Sequence, residues 1–175
     1  MEVTEAIRLK RAVRSFAPEA LPEQGVRAIL NAGRRAQSAK NRQAWHFIVI
    51  RDREMLAELA KLGTYAAHLS GAAAAIGILT PNPDERWSIM FDAGQAAAYM
   101  QLAAWELGIG SCPATIYQPE VARQLLGFPA DLHLRVMLSF GYPAEPGELT
   151  AAPHPGGRKA LSQLVSFERW QDPLP

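Results

Sequence analysis

Helices and strands are interspersed along this chain, and the sequence predicts a single domain of mixed α and β structure. Three observations carry that expectation. Stretches with apolar residues at helical spacing alternate with short runs rich in β-branched residues. The 175 residues, 49% hydrophobic and 20% charged, suffice for one sizeable core. No segment repeats, and the composition changes only at a Pro- and Gly-rich stretch over residues 143–157.

Residues 3–10 read as a short helix that leads into Lys10-Arg11-Ala12-Val13-Arg14-Ser15-Phe16. Arg8, Lys10, Arg11 and Arg14 put four basic side chains into seven residues, and a helical period places Arg11 and Arg14 on one face. Phe16-Ala17-Pro18 ends any helical run. A second helix opens at Leu21-Pro22-Glu23, with proline early and an acid in its first turn. Its apolar face is Val26, Ile29 and Leu30, and it runs to about Ala36.

The polar loop Gln37 to Gln43 delivers the chain into a strand over Trp45–Ile50. Asp52 is placed to cap the following helix, which carries Met55, Leu56, Leu59 and Leu62. In Ala72–Leu79 the second half reads as a buried strand. Asn82-Pro83-Asp84 is a turn and a helix start.

Residues 85–107 give the strongest helical pattern. Met90, Ala93, Ala97, Met100 and Ala104 line one stripe, and Gly108 supplies the stop. The rest of that helix is also largely apolar, so it is expected to be buried on most sides, against a second subunit as well as its own sheet. Gly108 to Thr115 is a tight, small-residue segment. Gln118 to Leu126 is a short helix ending at Gly127, and Leu134 to Gly141 is a strand. Seven of the fifteen residues 143–157 are Pro or Gly, which predicts an extended arm without a core of its own. Beyond Gly156-Gly157-Arg158-Lys159, the residues Leu164, Val165, Phe167 and Trp170 give the end of the chain an apolar docking surface.

The formal net charge is +1, which speaks against a general nucleic-acid surface. Nine of the eighteen Lys and Arg lie within residues 1–42, against four acids there. Such a cluster is either a solvated face or a local anion site. The second pair, Arg158-Lys159, suits a phosphate held between separated cations. The single cysteine, Cys112, fits a reducing cytoplasm and reads as a buried inert thiol. Residues 1–16 are too charged for a signal peptide, and no apolar run reaches the length of a membrane span.

No phosphate-binding Gly-x-x-x-x-Gly-Lys loop and no dinucleotide Gly-x-Gly-x-x-Gly after a strand occur. His46, His68, His133 and His154 lie at no metal-ligand spacing and read as structural or surface residues. No nucleophile elbow surrounds a serine. Trp45 and Trp105 read as core. Without an acid–base constellation, any enzyme chemistry here would be carried by a cofactor.

Four segments in order resemble the nitroreductase family of FMN-dependent oxidoreductases. Lys10-Arg11-Ala12-Val13-Arg14-Ser15-Phe16 is similar to the family's Arg-Arg-Ser-hydrophobic-Arg-x-Phe motif. Ala36 to Phe47 is similar to its Ala-Pro-Ser-x-x-Asn-x-Gln-Pro-Trp-x-Phe block. The Ala-rich helix leading into Gly108-Ile109-Gly110 is the third segment. Gly157-Arg158-Lys159-Ala160-Leu161, with Phe167-Glu168-Arg169-Trp170, is the fourth. Their order and spacing hold over almost the whole chain.

The resemblance implies an α+β, nitroreductase-like three-layer sandwich over residues 1–175, with a mostly antiparallel sheet flanked by helices, an intertwined homodimer and residues 143–175 as a C-terminal arm. It implies FMN at the subunit interface. Lys10, Arg11, Ala12 and Arg14 would meet its phosphate and ribityl chain, and Arg158 and Lys159 would close on the phosphate. Arg35, Ser38, Asn41 and Gln43 would come from the other subunit. Pro113, Ala114 and Thr115 would pass beside the flavin ring. NADH or NADPH would be the reductant, and a small organic compound such as a nitroaromatic or quinone the acceptor, with no nucleic-acid or membrane partner. A flavin protein for storage, sensing or one specialised metabolite is the alternative. The chain departs from the family pattern at Ala12, where serine is usual, and at Gln37 and Ala44, where prolines are usual. Residues 64–70 show no clear counterpart of the polar groups that some relatives place near the cofactor.

Overall fold

A computed structural model describes residues 2–151 and 157–170. His154 and Gly156, named above, and the terminal residues 171–175 lie outside the described residues. The elements in chain order are α1 (Val3–Leu9), α2 (Glu23–Gly33), β1 (His46–Ile50), α3 (Arg53–Ala60), β2 (Ala74–Thr80), α4 (Ser88–Glu106), β3 (Gly110–Thr115), α5 (Pro119–Leu126) and β4 (His133–Gly141). The four strands form one antiparallel sheet in the order β1-β2-β4-β3.

Helices cover both faces of that sheet, which explains why β2 is buried at every position. Side chains alternate along a strand. Ala75 and Leu79 therefore join a core with Leu56 and Leu59 of α3, Leu69, Ala122 of α5 and Met137. Ala74, Ile76 and Ile78 join a second core with Val26 and Ile29 of α2, Met100 and Ala104 of α4, Leu138 and Phe140. The result is an α+β sandwich with α3 and α5 on one side and α2 and α4 on the other.

Local signals set most element ends. Asp52 accepts a hydrogen bond from the Met55 amide at 2.8 Å and so caps α3. Gly127 ends α5 in the left-handed region at φ 68°. The Ala-rich helix starts at Ser88, three residues later than its pattern indicated, because residues 83–85 are spent in a turn. Of its stripe, Ala93, Met100 and Ala104 are buried while Met90 and Ala97 are half-buried, and Trp105 is core. Its other side is open in the single chain, with Trp87 78%, Phe91 63% and Tyr99 42% exposed. Trp45 is half-buried and stacks on Phe47. Leu164, Phe167 and Trp170 of the arm are exposed.

Two expectations are corrected. Gly108 to Thr115 is not a turn segment: from Gly110 onward it is β3, an edge strand paired to β4. The basic segment is not helical either. Helix α1 stops at Leu9, and the chain runs extended past β3, with Ala12 bridged in parallel to Ser111 and Phe16 bridged to Pro143. The Val13 amide donates to the Ser111 carbonyl at 3.0 Å. A two-residue period, not a helical one, therefore governs which basic side chains share a face.

Candidate functional site

The site is built on the outer edge of β3. Val13 and Phe16 anchor the basic segment there, three residues apart. Val13 is fully buried over Gly110, where an added Cβ would lie 2.7 Å from the Val13 Cβ. Phe16 sits over Gly141, where an added Cβ would lie 2.8 Å from its ring. Two residues without side chains thus form the seat, which holds Arg14 between the anchors and Lys10 and Arg11 just before them at the edge.

Lys10 and Arg14 both direct positive charge at Cys112 on β3. Burial nevertheless dominates at that residue and pushes its thiol above the ordinary value, so Cys112 is a protonated, buried thiol. The Lys10 ammonium donates to Gln101 Oε1 of α4 at 3.0 Å, and burial lowers its pKa, with Cys112 opposing. Gln101 Nε2 and Ser111 Oγ are buried beside this segment without a hydrogen-bond partner among the described residues. Arg11 Nε donates to the Leu9 carbonyl at 3.2 Å, and its guanidinium donates to the Ala151 carbonyl of the arm. The arm leaves the sheet alongside the same segment, since the Ala144 amide donates to the Ser15 carbonyl at 3.0 Å.

Farther along β3 the edge is bordered by residues 62–69. The Tyr117 amide donates to the Leu62 carbonyl at 2.8 Å, and Gly63 lies so close that a Cβ there would be 2.2 Å from the Thr115 carbonyl oxygen. His68, on the short 3-10 turn Ala67–Leu69, is 7% exposed and reaches Ser139 of β4. Its pKa is lowered by burial first, then by Arg14, with the Pro113 backbone opposing. Residues 64–70 therefore do supply a polar group to this region. Its partner is 71 residues away in sequence, so no local pattern announces it.

The loop with Ser38, Asn41 and Gln43 stands on the N-terminal half of α4. The Ala39 amide donates to Asp92 Oδ2 at 2.9 Å, and Ser38 Oγ accepts from the Gln43 amide at 2.9 Å. Lys40, Asn41 and Gln43 all have positive φ, at 55°, 52° and 49°. Asp92 is 7% exposed on a largely apolar helix. A buried acid in such a helix was the available signal that this position has a partner. Within one chain, then, Lys10, Ala12, Arg14 and β3 with its Pro113, Ala114 and Thr115 are brought together, and Arg11 joins them to the arm. Arg35 is exposed beyond the end of α2, and Arg158 and Lys159 are exposed on the arm, where Arg158 donates to the neighbouring Gly157 carbonyl.

The nitroreductase family profile matches residues 7–67 and 63–142, which includes the basic segment, the loop and all four strands. A protein of Archaeoglobus fulgidus named "Putative NADH dehydrogenase/NAD(P)H nitroreductase" is 35% identical over 153 residues, covering 82% of this chain and 87% of that one. A protein of the same name from Methanothermobacter thermautotrophicus is 30% identical over 179 residues, covering 97% and 88%. The solved structure named as an FMN-dependent nitroreductase from Clostridium difficile superposes with a TM-score of 0.84 at 26% identity, over 96% of this chain and 100% of that one. With its basic segment seated on an edge strand of an antiparallel α+β sandwich, this chain belongs to the nitroreductase family.

Proposed function

We propose that the protein is an FMN-dependent oxidoreductase that takes electrons from NADH or NADPH and passes them to a small organic acceptor. The observation that carries this reading is the family match across the very segments that meet at the β3 edge. The residues present fit the cofactor. A phosphate with up to two negative charges suits a segment that gathers Lys10, Arg11 and Arg14, beside buried polar atoms that lack partners among the described residues. FMN, when bound, supplies two-electron chemistry that none of the side chains here provides.

Arg11 and Arg14 are assigned to the phosphate and ribityl chain. Lys10 supports them from inside, because its ammonium is already committed to Gln101. Ala12 brings no hydroxyl, and its backbone pairs with β3 instead. Pro113, Ala114 and Thr115 border the ring. Arg158 and Lys159 close on the phosphate from the arm. Arg35, Ser38, Asn41 and Gln43 act across the boundary of a homodimer with two sites. The open faces support that dimer: Phe91 and Tyr99 of α4 and Trp87 at its N-cap are exposed, and α1, α2 and α4 enclose a largely apolar groove of about 360 Å³. Residues 1–175 act as one domain with a C-terminal arm from residue 143. Among the described residues no helix is long and apolar enough to cross a membrane, and a cytoplasmic setting suits the lone reduced cysteine.

The test is the visible spectrum of the purified protein, followed by anaerobic addition of NADH and then NADPH. A flavin spectrum that either nucleotide bleaches is expected, with recovery on adding a quinone or nitroaromatic. A protein that stays colourless after FMN is added overturns the reading. Bound flavin that neither nucleotide reduces replaces it with the storage or sensing role.

A further inference from the structure

His68 stands outside every segment assigned above to the cofactor, yet it is wired to the strand that borders it. Its Nδ1 is 2.8 Å from Ser139 Oγ, and that hydroxyl is 3.2 Å from the Cys112 carbonyl oxygen. Ser139 is fully buried, and it is the register partner of Cys112 across the β3–β4 pair.

Valence fixes the direction of both bonds. A carbonyl only accepts, and a serine has one hydroxyl proton, so that proton goes to Cys112. Ser139 Oγ then accepts from His68, which places the ring proton on Nδ1. Nε2 is left as a bare acceptor, buried and without a hydrogen-bond partner among the described residues. The surroundings agree. The Arg14 guanidinium opposes a charged ring, which keeps the imidazole neutral with a single ring proton. The Pro113 backbone, which has a carbonyl and no N–H, can only accept from the ring and favours its proton, so His68 adjoins both residues of the Cys112-Pro113 pair.

We infer that His68 and Ser139 form a positioning relay that holds the Cys112-Pro113 peptide of β3 in register for the reaction, with His68 as its Nδ1–H tautomer and Ser139 as the link. This rests on the proposed flavin reading, in which Pro113 borders the ring. The relay touches no reacting atom. It removes the freedom of the strand segment against which the reacting atoms are aligned, and misalignment by a fraction of an ångström is what slows such a step.

Two measurements test it. In the first, nitrogen-15 NMR of the protein without added FMN reads the tautomer of His68 directly. Protonation at Nδ1 is expected, and protonation at Nε2 reverses the relay and overturns the inference. In the second, Ser139→Ala, which keeps the buried volume nearly intact, is compared with wild type for FMN affinity and for the anaerobic rate of flavin reduction by the better nucleotide. The expected result is a rate lowered by about tenfold or more, with FMN affinity within about threefold of wild type. The variant His68→Asn, which can still donate to Ser139, is expected to retain more of the rate than Ser139→Ala. A Ser139→Ala protein that is reduced at the wild-type rate overturns the inference. If wild type itself binds no flavin, the flavin reading fails, and the tautomer measurement still decides whether the relay exists.

Discussion

Gly110 of β3 and Gly141 of β4 are register partners, and each lies beneath a side chain of the basic segment: Val13 over the first, Phe16 over the second. The site therefore depends on the absence of two Cβ atoms. An alanine at Gly110 would meet Val13 at 2.7 Å, and one at Gly141 would meet Phe16 at 2.8 Å. The clashing atoms are not the ends of flexible chains, so the segment itself must shift. Gly110→Ala and Gly141→Ala are each expected to cost about 1–3 kcal/mol of stability and to weaken FMN binding. Gly71→Ala is the control, since nothing lies within 4 Å of the added methyl. Thermal melts and flavin titrations of the three variants check this. Equal FMN affinity in all three would show that the seat does not position the cations.

Arg11 and Arg27 differ in what surrounds them. Arg11 is held between the Leu9 carbonyl and the arm. The Arg27 side chain is 73% exposed on α2 and, among the described residues, pairs with Glu23 one turn away. Surface pairs of that kind contribute little. Arg11→Ala is expected to raise the dissociation constant for FMN about tenfold or more, as the loss of a charge-assisted contact implies. Arg27→Ala is expected to stay within about twofold. Fluorescence titration with FMN separates the two.

Where the determinant of structure was local, the chain could be read directly. The Asp52 cap, the Gly127 stop and the apolar stripe of α4 all act within a few residues. The basic segment shows the opposite case. Arg11 and Arg14 sit three apart, a helical spacing, but the conformation is set by glycines about a hundred and more residues away in the chain. The strand β3 was hidden for the same reason. Its Gly-Ser-Cys-Pro-Ala-Thr run has little strand preference, and its glycine is there because Val13 packs over Gly110. Lys10 is legible as a cation but not as one turned inward, because its partner Gln101 lies 91 residues away in the chain. The family motifs survived these misreadings because they mark residues, not conformations.

The pH dependence of stability follows from His68. Burial and Arg14 lower its pKa below the ordinary 6.5, so the unfolded chain binds its proton before the folded one does. That difference makes stability rise with pH. The contribution is fully present above the unfolded value of 6.5 and is lost as pH falls through the lower folded value. Lys10 has the same sign at high pH: its folded value is lowered from 10.5, so stability rises as pH approaches that value from below. Urea midpoints for wild type should therefore fall on acidification below about pH 6.5. In His68→Asn, which carries no titrating ring, that part of the fall should be missing. An identical acid limb in both proteins would assign the effect to other groups.

Asp92 and the Ala39 amide join α4 to the loop that carries Ser38, Asn41 and Gln43. The loop holds three residues with positive φ and no glycine among them, a conformation that costs on the order of 1 kcal/mol or more at each such position. It persists because contacts over-determine it: the Asp92 carboxylate at one end, Ser38 Oγ on the Gln43 amide at the other, and Gln43 Nε2 on Asn41 Oδ1 between. Asp92→Asn keeps a carbonyl oxygen to accept from Ala39, so it should leave the loop in place. Asp92→Leu removes the acceptor and leaves the amide without its buried partner, a loss of about 1–3 kcal/mol. Hydrogen exchange should then accelerate over residues 39–43 and not over β2 and β4, which are paired on both sides. If the loop serves the partner's site, FMN affinity should fall in Asp92→Leu and hold in Asp92→Asn. Faster exchange with unchanged affinity would remove Ser38, Asn41 and Gln43 from the binding site and leave Arg11, Arg14 and the arm to hold the cofactor.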